Sequence, residues 1–312
     1  MPENHPLLHW FLPTGEDRAD TGRPARVARA AEQAGFTSLF APVGPGRVDP
    51  WHLASVLAGH TERIGFLVGV RAGAVSPTLL AQQADAFRRF TGGRLRLNLV
   101  TGGDSTEHRS PGDQLAHDQR YGRTDEVMAV LRSLLDGGRI DFQGQHVQVE
   151  GARLTDPAVE HKVPLYLGGV SGAAENLAAR RADVHLMWSE PAEPPETVAA
   201  RVARLRDRNP ALRFALRLSA VGRDDEVARR LHTYCRSGVD EFVLSGSPDP
   251  DDALRVGGEV APRLRELLSA DDAWENAAAP PPPGTGGDGA ALASDGVTPA
   301  SRRSGRCRRG CR

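Results

Sequence analysis

The sequence predicts an α/β fold, a closed (β/α)8 barrel, on three observations. Apolar runs typical of strands alternate with helical patterns almost to the end of the chain and make eight strand–helix units. Repeated units of this kind imply parallel strands joined by right-handed crossovers. The glycine-rich turn of an open dinucleotide-binding sheet is missing after the first strand, where Leu12 to Asp17 read LPTGED. A closed barrel, which commonly takes about 250 residues, therefore fits better than an open sheet.

The first four units lie before residue 136, and their helices carry recognisable end signals. Gly35 follows the first helix, where a helix C-cap favours glycine, and Ser76-Pro77 suits the start of the third helix. The strand and helix pairs are His9–Pro13 with Ala25–Ala34, Ser38–Pro42 with Trp51–His60, Ile64–Val70 with Pro77–Phe90, and Arg94–Val100 with Tyr121–Leu135.

A short hairpin is predicted after the fourth unit, over Ile140–Val149, because apolar and polar residues alternate around Gln143-Gly144.

From residue 271 the chain is rich in Pro, Gly, Ala and Ser and ends in an Arg-rich stretch, so it holds too little apolar surface to offset chain entropy. We expect a barrel domain over 1–270 and a disordered tail over 271–312. The last four pairs are Pro164–Gly169 with Ala173–Arg181, Val184–Trp188 with Glu196–Arg208, Phe214–Val221 with Glu226–Ser237, and Glu241–Ser245 with Asp251–Leu268.

Composition argues against several classes of function. The 312 residues are 39% hydrophobic and 25% charged with a formal net charge of −1, which gives no general attraction to nucleic acid or to an anionic membrane. No apolar run reaches the length of a membrane span, and the N-terminus lacks a signal-peptide pattern, so we expect a cytoplasmic protein. The cysteines Cys235, Cys307 and Cys311 offer neither a disulfide framework nor a zinc spacing, and no metal is expected.

Barrel enzymes carry their chemistry at the C-terminal ends of the strands, so the residues where each apolar run stops are the candidates. At the fourth strand these include Asn98, Thr101 and Gly102, where glycine lets the backbone approach a planar ligand and a hydroxyl can bond a ring heteroatom. A plain turn explains a lone Thr-Gly-Gly better. The fifth strand ends at Gly168-Gly169-Val170-Ser171 directly before a helix, whose N-terminal N–H groups can bind phosphate, although Gly and Ser are also ordinary capping residues.

A set of motifs in a fixed order resembles a known family. It comprises L-V-T-G-G from Leu99, H-D-x-R-Y from His117, D-F-x-G-x-H from Asp141, G-G-x-S from Gly168, W-x-E-P from Trp188 and V-L-S-G from Val243. The order resembles that of the bacterial luciferase-like flavin-dependent monooxygenases, most closely the alkanesulfonate monooxygenase branch. The resemblance implies a monooxygenase that uses reduced FMN and O2 and converts a small substrate, such as a sulfonate, to an aldehyde with release of sulfite. It also implies a separate NAD(P)H-dependent FMN reductase as partner and a homo-oligomer.

The resemblance assigns roles to individual residues. Arg217 would bind the anionic substrate, and Trp188 and His9 would shape its pocket. An ion pair for Arg217 and a packing role for Trp188 remain alternatives. Tyr121, Gly169, Val170 and Ser171 are implied to hold the FMN phosphate. The complete predicted cofactor site is Asn98, Thr101, Gly102, His117, Tyr121, Gly169, Val170 and Ser171.

Several reactive-site positions depart from the family. Ser219 and Ser247 stand where it has a histidine and a tyrosine, and Gly46-Arg47-Val48 replaces an expected cysteine. A short link at Gly222–Asp225 replaces a long mobile insertion that closes over the site. Two alternatives therefore stay open: a catalytically impaired FMN-binding barrel, and a deazaflavin-dependent oxidoreductase of the same superfamily.

Overall fold

A computed structural model of the chain describes residues 5–12, 22–102, 109, 112–188 and 191–278, with side chains up to residue 271. The strands are β1 (Leu7–Phe11), β2 (Ser38–Ala41), β3 (Gly65–Arg71), β4 (Leu95–Val100), β5 (Ile140–Gln143), β6 (Gln148–Ala152), β7 (Leu165–Gly168), β8 (Val184–Met187), β9 (Arg213–Ser219) and β10 (Glu241–Ser245). The α-helices are α1 (Arg23–Gln33), α2 (Pro50–Ala58), α3 (Pro77–Thr91), α4 (His117–Leu135), α5 (Gly172–Arg181), α6 (Pro195–Arg208), α7 (Asp224–Arg236), α8 (Pro250–Arg255) and α9 (Ala261–Ala278).

The parallel strands close into one barrel in the order β1-β10-β9-β8-β7-β4-β3-β2. β5 and β6 pair antiparallel with each other, so β4 is hydrogen-bonded directly to β7 across the inserted hairpin. This confirms the predicted (β/α)8 barrel. The C-terminal ends of all eight strands therefore point to the same face of the molecule.

Side chains that alternate along the strands build two apolar cores. The larger core lies between the strands and the helices. On β8, Val184 and Leu186 belong to the inner cluster while Met187 packs in the outer core. Burial on both faces explains why the strands read as nearly continuous apolar runs. The inner cluster consists of Phe40, Leu67, Tyr166, Val184, Leu186, Ala215 and Val243.

The hairpin is held against α4 by one carboxylate. Glu126 accepts hydrogen bonds from the main-chain N–H groups of Gln145, His146 and Val147, at 2.8, 2.8 and 2.7 Å. The hairpin was predicted over Ile140–Val149, and its second strand continues to Ala152.

The C-terminal helical region differs from the prediction of one helix over Asp251–Leu268. A π-helical segment, Val256–Val260, separates α8 from α9. A Cβ at Gly257 would lie 2.4 Å from the carbonyl oxygen of Ala34, so this segment lies directly against the end of α1. The sequence pattern does not reveal this contact between distant parts of the chain.

The last helix also ends later than predicted. α9 runs to Ala278, beyond the predicted helix end at Leu268. Within this extension, Asp271 bonds His232 and Arg236 of α7, at 2.8 and 3.2 Å. By contacts, the chain divides into a unit from Met1 to Asp272 and a unit from Ala273 to Arg312. The rest of the predicted tail, 279–312, lies outside the described residues.

Candidate functional site

A cavity of about 380 Å³ opens at the C-terminal ends of β2, β4, β7 and β8. Its walls combine apolar side chains, including Phe40 and Leu186, with the polar strand ends of β4 and β7. Cavities of several hundred Å³ with apolar walls and a few convergent polar groups are typical ligand sites. A second groove, of about 480 Å³, lies between α2 and α3, away from the strand ends.

The cavity collects the predicted cofactor residues from three separate stretches of sequence. Trp188, predicted to shape the substrate pocket, lines it as well. The predicted cofactor residues in its wall are Asn98, Thr101, Gly102, His117, Tyr121, Gly169, Val170 and Ser171.

The β4 side of the cavity offers hydrogen-bonding groups to a planar ligand. Asn98 is 1% exposed, and its Oδ1 has no hydrogen-bond partner among the described residues. Thr101 is also buried, and Gly102 has a φ of +85°, which favours glycine. Because a buried carbonyl oxygen without a partner is costly, the Asn98 amide is a ready acceptor for a ligand N–H.

Arg120 fixes the end of β4, a role that the sequence analysis missed. It is 3% exposed, and its guanidinium group donates to the carbonyl oxygens of Thr101, Leu115 and Gly102, at 2.9, 3.0 and 3.4 Å. The position of Arg120 in the H-D-x-R-Y motif could have indicated this role. The buried guanidinium therefore positions the polar backbone next to the cavity.

The β7 side resembles a cradle for a small anion. A Cβ at Gly169, whose φ is +133°, would lie 3.0 Å from both the Tyr121 Oη and the Ala174 Cβ. Glycine therefore leaves space beside the tyrosine hydroxyl. The N–H of Gly169 itself donates to the carbonyl oxygen of Leu186 at 3.1 Å, so this residue contributes space and not a donor.

Ser171 places the N-terminus of α5 at this cradle. Its Oγ accepts from the N–H of Ala174 at 3.2 Å as the helix N-cap, and it donates to the Tyr121 Oη at 3.4 Å. The first N–H groups of a helix have no partner within the helix and carry its positive dipole end. Together with the two hydroxyl groups, they suit a phosphate.

His117 stands at the rim of the cavity. Its ring centroid lies 5.0 Å from that of Tyr121, and its Nδ1 is 2.7 Å from Oδ1 of Asp118. The side chain is about half exposed. The first turn of α4 thus carries both H-D-x-R-Y aromatic groups to the same wall, and the helix begins four residues before the predicted Tyr121.

Arg217 lies against two aromatic rings, one of which, Trp188, lines the cavity. Its guanidinium carbon is 5.1 Å from the ring of Trp188 and 5.9 Å from the ring of Phe11. Its Nη2 donates to Oγ of Ser245 at 3.2 Å. Burial, and then the positive charge of Arg47, lower the pKa of Arg217 below its ordinary range. The cation therefore contacts a side chain of the cavity wall.

His9 lies elsewhere, and this differs from the pocket-shaping role predicted for it. It is completely buried, its Nδ1 is 2.6 Å from Oγ of Ser38, and its Nε2 is 3.0 Å from Oε2 of Glu241. Tyr166 donates to the same carboxylate oxygen at 2.5 Å. Ser38 and Glu241 begin their strands, so this network lies toward the N-terminal end of the barrel interior. Burial lowers the pKa of His9, which keeps the ring neutral.

The wall also contains residues that the sequence analysis did not name: Phe40, Pro42, Val43 and Leu186. Their signal was their position, at or just beyond the C-terminal ends of β2 and β8. Among the described residues, no group of three or more His, Cys, Asp or Glu side chains could hold a metal ion. Over the same part of the chain, no helix is long and apolar enough to cross a membrane.

The chain matches the profile of one known protein family. The profile of the luciferase-like monooxygenases matches residues 8–298. The chain belongs to the luciferase-like monooxygenase family. This confirms the resemblance carried by the motifs, from L-V-T-G-G to V-L-S-G.

Solved structures of three other proteins share the fold of this chain. Riboflavin lyase, solved with a modified FMN and riboflavin, has 16% identity and a TM-score of 0.73, covering 84% of this chain and 92% of that one. EDTA monooxygenase from Chelativorans sp. BNC1 has 17% identity and a TM-score of 0.70, with coverages of 85% and 94%. The coenzyme F420-dependent tetrahydromethanopterin reductase from Methanopyrus kandleri has 15% identity and a TM-score of 0.72, with coverages of 83% and 99%. Such identities establish the shared barrel and leave the reaction open.

Proposed function

We propose that the protein is a monooxygenase that uses reduced FMN and O2 on a small anionic substrate. The observation that carries this proposal is the convergence of the eight predicted cofactor residues on one cavity. Bound reduced FMN would supply the oxidising chemistry by reacting with O2. The protein residues bind, orient and shield the reactants.

The cavity residues fit FMN at both of its ends. Tyr121, Ser171 and the N-terminus of α5 would hold the phosphate in the space left by Gly169. Asn98 and Thr101 would bond the edge of the flavin ring, which presents both donors and acceptors. This mode of phosphate binding needs no lysine, which agrees with the presence of a single lysine, Lys162, in the chain.

The substrate would bind beside Arg217 and Trp188. A guanidinium group pairs with oxyanions through two parallel hydrogen bonds, and the indole ring supplies an apolar wall. The proposed substrate class is a small alkanesulfonate, with an aldehyde and sulfite as products. A separate NAD(P)H-dependent FMN reductase would supply the reduced cofactor, and we further propose a cytoplasmic homo-oligomer.

The proposal is tested by titration and turnover. Purified protein should bind FMN, and with photoreduced FMN it should consume O2 and release sulfite from a short alkanesulfonate. Hydrogen peroxide with unchanged sulfonate would instead support the impaired FMN-binding barrel. No binding of FMN in either redox state would contradict the proposal.

A deazaflavin-dependent oxidoreductase is the second candidate, and one observation favours it. Ala220–Arg223 alone link β9 to α7, so no long segment closes over the cavity from this strand. Hydride transfer from a deazaflavin does not require the exclusion of water that oxygen chemistry needs. Titration with coenzyme F420 separates the candidates, because a deazaflavin enzyme should bind it and ignore FMN.

A further inference from the structure

Two guanidinium groups lie against one aromatic ring that contacts the cavity wall. The guanidinium carbon of Arg47 is 5.6 Å from the centroid of the Phe11 ring, and that of Arg217 is 5.9 Å from the same centroid. The three residues come from the β2–α2 segment, the C-terminal end of β1 and β9. Two cations from distant parts of the sequence therefore converge on this ring.

The ring of Phe11 joins these cations to the cavity. Its centroid is 5.6 Å from that of Phe40 and 5.8 Å from that of Trp188, and the latter two rings are also 5.8 Å apart. Phe40 and Trp188 both line the cavity. The two cations thus lie beside an apolar wall, an arrangement that suits a substrate with a charged head and an apolar body.

The local backbone allows Arg47 to reach the ring. Its Cδ and Nε lie 3.6 Å from the position that a Cβ would occupy at Gly44, so the side chain lies along this glycine. The N–H of Arg47 donates to the carbonyl oxygen of Gly44 at 3.3 Å, which closes the turn. Asp49 then begins α2 by accepting from the N–H of His52 at 2.9 Å.

The two positive charges act on each other. The charge of Arg47 helps to lower the pKa of Arg217, after the larger effect of burial. An anion bound next to both groups would interact favourably with each of them. A guanidinium fork can hold two oxygens of an anion, so a head group with a third oxygen can engage a second fork.

We propose that Arg47 and Arg217 together bind the substrate's head group, and that this group is a tetrahedral oxyanion with three terminal oxygens, a sulfonate or a phosphonate. The inference rests on the proposed function and adds Arg47 as a residue that determines specificity.

The test is calorimetric titration of three probes with chains of similar length: pentane-1-sulfonate, pentylphosphonate and hexanoate. They are titrated into the wild type, Arg47→Ala and the control Arg63→Ala. Arg63 is exposed just before β3, at the opposite end of the barrel, so its loss changes the net charge equally. In Arg47→Ala we expect the dissociation constants of both tetrahedral anions to rise about tenfold, and that of hexanoate by less than about threefold.

The titrations can contradict the proposed role of Arg47 in several ways. Equal affinities of Arg47→Ala and Arg63→Ala for the sulfonate and the phosphonate would overturn it, as would no binding of either anion by the wild type at millimolar concentration. An equal loss for hexanoate would overturn the preference for three oxygens. FMN titration of the same preparations serves as a separate readout. Failure of the wild type to bind FMN contradicts the proposed function, whereas normal FMN binding with an unchanged anion response contradicts this inference alone.

Discussion

The substitution Gly169→Ala tests the phosphate cradle most sharply. The new methyl group would lie 3.0 Å from the Tyr121 Oη, and the residue would keep a φ of +133° that side chains rarely adopt. Two separate costs follow. Backbone strain should lower the free energy of unfolding by about 1–3 kcal/mol, and the methyl group should fill space that the phosphate needs.

The loss of binding can be given a magnitude. If the methyl group removes one hydrogen bond between the Tyr121 hydroxyl and the charged phosphate, binding weakens by about 1.5–3 kcal/mol. This corresponds to a rise of roughly ten- to a hundredfold in the dissociation constant for FMN. Fluorescence titration with FMN measures it, and urea unfolding measures the change in stability.

Gly222→Ala is the matched control. Gly222 has a φ of +131°, and the nearest atom to a Cβ there is the Cγ2 of Val227 at 3.8 Å. The control should therefore lose similar stability and bind FMN as the wild type does. Equal FMN affinities of the Gly169→Ala variant and this control would refute the cradle.

Three further predictions concern the cofactor, the substrate and the pH dependence of stability. Tyr121→Phe and Ser171→Ala should each weaken FMN binding by about 1–3 kcal/mol in titrations. Ser171→Ala should also lower the free energy of unfolding by about 1 kcal/mol, because it removes an N-cap. An unchanged FMN affinity in both variants would remove the two residues from the site. Arg217→Ala should bind FMN almost normally yet lose substrate turnover, and wild-type turnover would end that assignment. Burial lowers the pKa of His185 from 6.5 to about 4. Because the unfolded chain then binds a proton at a higher pH than the folded chain, the free energy of unfolding should fall as the pH falls through this window, by up to about 1.4 kcal/mol per pH unit. Urea unfolding of His185→Leu should show a flatter fall between these pH values, and an unchanged slope would contradict the shift.

The order of elements could be predicted because the barrel strands are largely buried on both faces, whereas apolar and polar residues alternate in the hairpin strands. Residues that line the cavity could be predicted for a related reason, since the C-terminal ends of parallel strands meet on one face. Thr101 and Ser171 lie far apart in sequence and still line one cavity.

What could not be predicted depends on contacts between distant residues. His9 is buried toward the other end of the barrel because Glu241 and Ser38 bond both of its ring nitrogens there. The π-helical segment arises where Gly257 lies against Ala34. The position of Arg47 depends on the ring of Phe11, more than thirty residues away in sequence. Periodicity along a single element carries no information on such pairs.

The most direct test of the central claim compares FMN with riboflavin, which lacks the phosphate. If Tyr121, Ser171 and the N-terminus of α5 hold the phosphate, as proposed, the wild type should bind FMN at least about tenfold more tightly than riboflavin. Equal affinities for the two flavins, or no response to either, would contradict it.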